Sequence, residues 1–197
     1  MTEFYPDPDK AVRLQELRAR LQALERGGGT RPPFALGLPA LDAALGGGLP
    51  LGCLHEVGGA PGDGAALGFC AALLGRLAAA GPVLWCQPQL DLYAPGLAAC
   101  GLNPARLVVV TAARPADRLW ALEEGLRCRA LAAVLGEIDG LDPTAARRLQ
   151  LAAETSGVTG FVLHPEGGPP AQSVAATRWR VMSAPGSSRT STIRAPT

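Results

Sequence analysis

The chain lacks an excess of charge of either sign, and it contains very little lysine. Its 197 residues include 18 Lys and Arg against 17 Asp and Glu, which gives a formal net charge of +1, and Lys10 is the only lysine. This balance excludes a strongly basic nucleic-acid binder, although it leaves room for a local basic patch.

Long apolar runs and a secretory signal are also missing. The longest apolar-rich stretch, residues 65–80, is broken by Gly68, Gly75 and Arg76, and it falls short of the ~20 apolar residues that span a membrane. The first residues, MTEFYPDPDK, have no basic region leading into an apolar segment. The sequence therefore predicts a cytoplasmic protein.

The spacings typical of disulfide, zinc and nucleophilic sites are absent as well. The cysteines are five in number, and no two form a C-x-x-C pair, which favours buried reduced thiols over disulfides or zinc. His55 and His164 have no acid or cysteine at ligand spacing, and no nucleophile elbow is found, so we expect neither a metal nor a catalytic residue of these kinds. The cysteines are Cys53, Cys70, Cys86, Cys100 and Cys128.

What the chain does contain is enough apolar sequence for one sizeable core, arranged as alternating strands and helices. Hydrophobic residues make up 48% of the chain. Continuous apolar strands separated by helices predict an α/β fold, with a mostly parallel central sheet covered by helices on both faces. We predict strands at 53–57, 82–86, 107–111, 131–135 and 159–163, helices at 65–80, 93–100, 116–129 and 143–155, and an edge strand at 177–182.

An amphipathic helix is predicted to precede this core. It begins at Asp7-Pro8 and ends before the glycines at 27–29. One stripe of the helix is formed by Leu14, Leu17, Leu21 and Leu24. The stripe is expected to pack either on the body of its own domain or on another protein, and the second alternative is suggested by the glycine linker, which decouples the helix from the core. The predicted divisions are therefore 1–29 (helix and linker), 30–182 (core) and 183–197 (disordered tail).

The first strand runs into a degenerate phosphate-binding loop. Gly59 and Gly64 have the spacing of G-x-x-x-x-G-K-[ST], in which backbone amides cradle phosphates, lysine contacts the outer phosphates and the hydroxyl binds Mg²⁺. Ala65 and Ala66 stand in place of the lysine and the hydroxyl residue, and Asp63 adds a negative charge. A plain strand-to-helix turn is the alternative interpretation. The loop residues are Gly59, Gly62, Asp63, Gly64, Ala65 and Ala66.

Three segments carry a resemblance to a known superfamily. They are residues 37–59 (GLPALDAALGGGLPLGCLHEVGG), 83–110 and 136–163. Over about 34–182 the chain resembles the RecA core and, within that superfamily, the group formed by ImuA-type mutagenesis proteins and SulA cell-division inhibitors. The resemblance implies a RecA-like three-layer core.

The residues that would hydrolyse ATP in RecA do not carry over. The lysine and threonine of the loop match Ala65 and Ala66, and the catalytic glutamate matches Gln87 or Pro88. The acid that supports Mg²⁺ matches Gly136, with Glu137 one place later. Because phosphoryl transfer depends on these charges and on Mg²⁺, we expect no ATP hydrolysis and no nucleotide cofactor.

The resemblance implies a non-catalytic adaptor in damage-inducible (SOS) error-prone translesion DNA synthesis. The implied partners are the polymerase-like protein ImuB, RecA and an error-prone C-family polymerase. Arg178, Trp179 and Arg180 are predicted to contact a protein partner, as is the leucine stripe, because Arg and Trp are favoured at interfaces. Recruitment to damage would bring the protein to the nucleoid.

DNA contact is expected to be weak or indirect. The connections that correspond to the DNA-binding loops of RecA, 139–142 and 165–176, contain acids and no basic residue, so they offer no cationic groove. For Arg147 and Arg148 a solvated face is the favoured interpretation.

Two other functions remain open from the sequence. One is a SulA-like inhibitor that binds the division protein FtsZ. The other is a regulator that has kept the loop for nucleotide binding alone.

Overall fold

The computed structural model describes residues 31–167 and 173–184. The predicted N-terminal helix with Leu14, Leu17, Leu21 and Leu24 lies outside the described residues, as does the predicted tail beyond Ala184. Within the described ranges, no helix is both long and apolar enough to cross a membrane.

In the part of the chain that the structure describes, the core is one sheet of six strands, all of them parallel. Its spatial order is β3-β2-β4-β5-β1-β6, so that β3 and β6 form the two edges. Parallel neighbours require crossover connections, and the intervening helices supply them. The strands are Leu54–Gly58 (β1), Val83–Gln87 (β2), Leu107–Thr111 (β3), Ala133–Glu137 (β4), Thr159–His164 (β5) and Thr177–Arg180 (β6).

Helices cover both faces of this sheet, which confirms the predicted α/β architecture. The helices α2 and α3 pack on one face against Trp85, Leu135 and Phe161. The other face is covered by α4 and α5, which pack on Val134 and Val162. The helices are Pro39–Ala44 (α1), Ala65–Leu77 (α2), Ala94–Ala99 (α3), Pro115–Arg127 (α4) and Pro143–Ser156 (α5), with a 3₁₀ turn at Pro104–Arg106.

The edges of the sheet differ in how well they match the sequence pattern. Strand β6 alternates half-buried and exposed residues, as predicted for an edge strand with one wet face. Strand β3 is continuously apolar, a pattern typical of a buried strand, yet Val108 and Val109 are 46% and 37% exposed. The reason is that β3 has a neighbouring strand on one side only.

The cysteines are free thiols, and three of the five are buried as predicted. Burial raises the pKa of Cys53 to about 12, with a smaller contribution from the charge of Glu154. The prediction is wrong for Cys128, which is exposed because it follows the last turn of α4.

Two glycines of α2 provide a matched test of the packing. A Cβ at Gly75 would lie 2.6 Å from the backbone carbon of Gly101, whereas nothing lies within 4 Å of the Cβ position at Gly68. We expect Gly75→Ala to lower the free energy of unfolding by about 1–3 kcal/mol through overpacking. Gly68→Ala should raise it by up to about 1 kcal/mol, because alanine is the better helix former. Urea denaturation measures both, and effects of the same sign would contradict the packing of α2 on Gly101.

Candidate functional site

The predicted phosphate loop joins β1 to α2 at the carboxyl end of the sheet. Gly62 has φ +74°, a conformation that favours glycine. At Gly59 a Cβ would lie 2.3 Å from the carbonyl oxygen of Val181, so only glycine lets the C-terminal segment pass this close. The loop is therefore shaped around the chain that follows β6.

Three amides of this loop bond groups of the protein itself. The Ala65 N–H donates to the Asp63 carboxylate at 3.1 Å, and the Asp63 N–H donates to the carbonyl of Ala60 at 3.0 Å. The Gly59 N–H donates to the carbonyl of Gly167 at 3.2 Å. A helix N-terminus after such a loop attracts anions, and here the anion at the start of α2 is the side chain of Asp63.

The same carboxylate ties the C-terminal segment to the loop. The Ser183 N–H and hydroxyl donate to Asp63 at 2.7 and 2.6 Å. The side-chain bond from Ser183 is the largest cause of the lowered pKa of Asp63, followed by the backbone bonds from Ser183 and Ala65. Val181 adds a further bond, from its N–H to the carbonyl of Gly58 at 2.8 Å. Ser183, which bonds the loop in this way, is the first residue of the predicted tail.

A second acidic group lies at the carboxyl end of β4. The Trp85 indole Nε1 donates to Glu137 Oε1 at 2.7 Å, and the Arg118 guanidinium donates to the backbone carbonyl of Glu137 at 2.9 Å. Burial raises the pKa of Glu137, although the Trp85 bond acts in the opposite direction, and the charges of Asp91 and Asp139 raise it further. The carboxylate is thus held by an indole on its own sheet.

At the end of β4, Glu137 faces the side of the sheet that α2 covers, whereas position 136 faces the opposite side. A Cβ at Gly136 would lie 2.9 Å from Leu122, so position 136 faces α4. Alternate residues of a strand face opposite sides, so Glu137 shares the side of Leu135, which packs towards α2. Glu137, one position after Gly136, is thus the acid of β4 that faces the side of α2.

Gln87 ends β2, at one of the two positions that match the catalytic glutamate. Its side chain is fully buried. Among the described residues neither its amide nitrogen nor its amide oxygen has a hydrogen-bond partner. An amide cannot act as a general base, so this position does not supply the proton acceptor that ATP hydrolysis uses.

Sequence reasoning missed a buried polar pair between β1 and β5. Glu56 Oε2 lies 3.4 Å from His164 Nε2, and the Ser173 hydroxyl donates to the other oxygen of Glu56. The available signal was a polar residue at a buried position of each strand. Pairing them required knowledge that β1 and β5 are neighbours.

His55 is held within the core rather than in a metal site. Its Nδ1 lies 2.7 Å from Thr177 Oγ1, and its Nε2 lies 3.0 Å from the carbonyl oxygen of Pro50. Burial lowers the pKa of His55 to about 4. Across residues 31–167 and 173–184, no group of three or more His, Cys, Asp or Glu side chains could hold a metal ion.

The three residues of β6 that are predicted to bind a protein partner lie on opposite faces of this strand. Arg178 and Arg180 are exposed, whereas the Trp179 ring packs inward at 5.1 Å from Phe69. The Trp179 Nε1 also donates to Thr177 at 2.6 Å. The two arginines are thus on the exposed face of the strand. Partner binding by these residues stays a prediction.

Comparison with known proteins identifies a related sequence and a solved structure with the same fold. No protein-family model matches the chain. A curated protein named Protein ImuA, from each of two strains of Caulobacter vibrioides, is 41% identical over 176 residues, covering 80% of this chain and 72% of the relative. The crystal structure of SulA from Pseudomonas aeruginosa has the same fold, with a TM-score of 0.50 and 23% identity over 56% of this chain and 96% of that chain.

The bond between Asp63 and Ser183 is open to test by nuclear magnetic resonance. The pKa of Asp63 is lowered, so its carboxylate should hold Ser183 above the ordinary aspartate pKa and release it as the pH falls through the lowered value. Asp63→Ala should speed amide exchange at Ser183 by about tenfold at neutral pH. Asp139→Ala, which removes an acid that bonds Glu166 instead, is the control. Equal exchange in both variants would contradict the contact.

Glu137 should make stability depend on pH. Its pKa is raised in the folded protein, so the unfolded chain ionises first as the pH rises, and the wild type loses stability until the raised pKa is passed. Glu137→Gln keeps an acceptor for Trp85 without this ionisation. By urea denaturation, the variant should gain stability relative to the wild type as the pH rises from the ordinary glutamate pKa to the raised one. A difference that does not change with pH would contradict this effect.

Proposed function

Since the chain belongs to the ImuA family, we propose that it is a non-catalytic RecA-like adaptor in damage-inducible error-prone translesion DNA synthesis. The observation that carries the proposal is the Asp63 carboxylate, which bonds the Ala65 amide at the start of α2. A bound triphosphate would place more negative charge against this carboxylate, and no lysine follows the loop to compensate for it. The protein would then act through contacts with other proteins.

The other groups that ATP hydrolysis would need support the same conclusion. Glu137 is on the loop side of the sheet, but its oxygen accepts the Trp85 N–H. Gln87 stands where a carboxylate base would be needed, and Ala66 offers no hydroxyl to Mg²⁺. Three of the groups required for phosphoryl transfer are thus absent or engaged elsewhere.

We place the contact with ImuB on the exposed arginine side of β6. Among the described residues this strand pairs only with β1, and its outer residues include Arg180. Arginine is favoured at interfaces because its guanidinium makes several directed hydrogen bonds. The leucine stripe of the N-terminal segment would contact RecA, and the assembly would include an error-prone C-family polymerase. Such an adaptor would work in the cytoplasm and reach the nucleoid upon DNA damage.

The alternatives have less support. The likeness to SulA concerns the fold alone at 23% identity, whereas the relatives at 41% identity are ImuA proteins. A nucleotide-binding regulator would have to displace the bonds of Asp63 to Ala65 and Ser183. Filamentation of cells on overexpression would favour the first alternative.

Calorimetric titration of the full chain with purified ImuB tests the adaptor role. Arg180→Glu should weaken the complex by about tenfold or more, because it reverses the charge at the contact. Arg106→Glu, an exposed arginine on the 3₁₀ turn before the opposite edge strand, should change the affinity by less than about twofold.

The same titration repeated with millimolar ATP and Mg²⁺ separates the alternatives. We expect neither the affinity for ImuB nor the melting temperature of the free chain to change. A clear thermal stabilisation by ATP would support the nucleotide-binding regulator instead. Absence of any complex with ImuB would contradict the proposed adaptor.

A further inference from the structure

A groove between the C-terminal halves of α4 and α5 has no part in the function proposed above. It has a volume of about 530 Å³ and lies on the outer side of these helices. Three arginines and an exposed leucine are among the residues that line it. The complete lining is Glu123, Arg127, Arg129, Arg148, Leu151, Ala152, Thr155 and Ser156.

Two of these arginines are held in place by one buried acid. The Glu123 side chain is 6% exposed, and it accepts hydrogen bonds from Arg127 at 2.6 Å and from Arg148 on the facing helix. Arg127 also bonds Glu124, so two carboxylates face these two guanidinium groups and the four charges sum to zero. The excess positive charge of the groove therefore comes from arginines outside this cluster.

A third arginine adds charge without an acid beside it. Arg129 donates to the carbonyl of Thr155 at 3.3 Å, and no ion pair to Arg129 is found in the described part of the chain. A neutral carbonyl acceptor leaves the full positive charge of the guanidinium. The Arg129 side chain is therefore fixed at the end of α5 and can still bind an anion.

The groove continues towards the amino ends of the strands. A second hollow of about 360 Å³ shares Arg129 and Ser156 with the first one, and it is also lined by Arg31. Arg31 donates to the carbonyl of Gly157 at 3.1 Å, again a neutral acceptor. We call the two hollows together, with Arg31, Arg127, Arg129, Arg148 and Leu151, the arginine groove.

An apolar contact lies among these charges. Leu151 is 46% exposed on α5, and Ala152 beside it is half-buried. Burying an exposed leucine contributes about 25 cal/mol for each Å² of apolar surface covered. A ligand that fits the arginine groove therefore combines anionic groups with an apolar side chain.

From this combination we infer that the arginine groove docks an acidic segment of a partner protein, with an apolar side chain of that segment resting on Leu151. Carboxylates of the segment would meet the guanidinium groups of Arg129 and Arg31, which bond neutral carbonyls and suit planar two-point bonding. Single-stranded nucleic acid fits less well, because neither hollow is lined by an aromatic residue on which a base could stack.

The position of the arginine groove allows two partners at once. It lies where α4 and α5 end, towards the amino ends of the parallel strands. Asp63 and its loop lie at the carboxyl ends, as does the end of β6 at Arg180. A segment bound in the groove would not obstruct a partner on the edge of β6.

Fluorescence anisotropy of labelled probes tests the inference with the full chain. The probes are a synthetic peptide that alternates glutamate with leucine, its counterpart with lysine for glutamate, and an oligo(dT) strand. The glutamate peptide should bind at physiological salt, and the lysine peptide should not. Arg129→Glu should weaken binding of the glutamate peptide by about tenfold or more.

Arg147→Glu is the matched control. Arg147 is an exposed arginine of α5 next to Arg148, and it does not line either hollow. We expect this variant to change the affinity by less than about twofold. Leu151→Glu gives a second, independent loss, because it places a like charge against the acidic peptide, and circular dichroism verifies that each variant is folded.

Three outcomes would overturn the inference. The first is no binding of the glutamate peptide. The second is binding that Arg129→Glu and Arg147→Glu weaken equally, since that would reflect overall charge. The third is tight binding of oligo(dT) that only the groove variants abolish, which would make the surface a nucleic-acid interface.

Discussion

A negative side chain at the positive end of a helix is the interaction on which the functional part of this structure depends. The Asp63 carboxylate satisfies the amide of Ala65 and at the same time receives the backbone and hydroxyl of Ser183. In phosphate-binding loops this position attracts the ligand. Here the helix end, the loop and the segment after β6 stabilise one another, so the attraction has become part of the fold.

The indole of Trp85 also holds a carboxylate within the protein, on a neighbouring strand. It spans β2 and β4, which are paired, and it binds the carboxylate that faces the loop side. A buried acid without a partner would be costly, and the indole N–H lowers that cost. The polar side chain at the end of β4 is thus an internal contact of the sheet.

Much of the fold can be predicted from the sequence, because the alternation of apolar strands and helices is a local property. The order of strands is not local, and it decides that β3 becomes an edge with Val108 exposed. For the site, the alanines after the glycines predict the loss of phosphate chemistry. The bond from Asp63 to Ser183 joins residues 120 positions apart, and no pattern near either residue indicates it.

The placement of β1 between β5 and β6 has a consequence for the newly made chain. This first strand finds its two neighbours far along the chain, at residues 159–164 and 177–180. Until then its apolar residues, such as Val57, have no strand beside them, and contacts of such long sequence separation form slowly. The sheet cannot close before residues up to 180 have been synthesised, so the nascent protein must keep its first strand from aggregating until then.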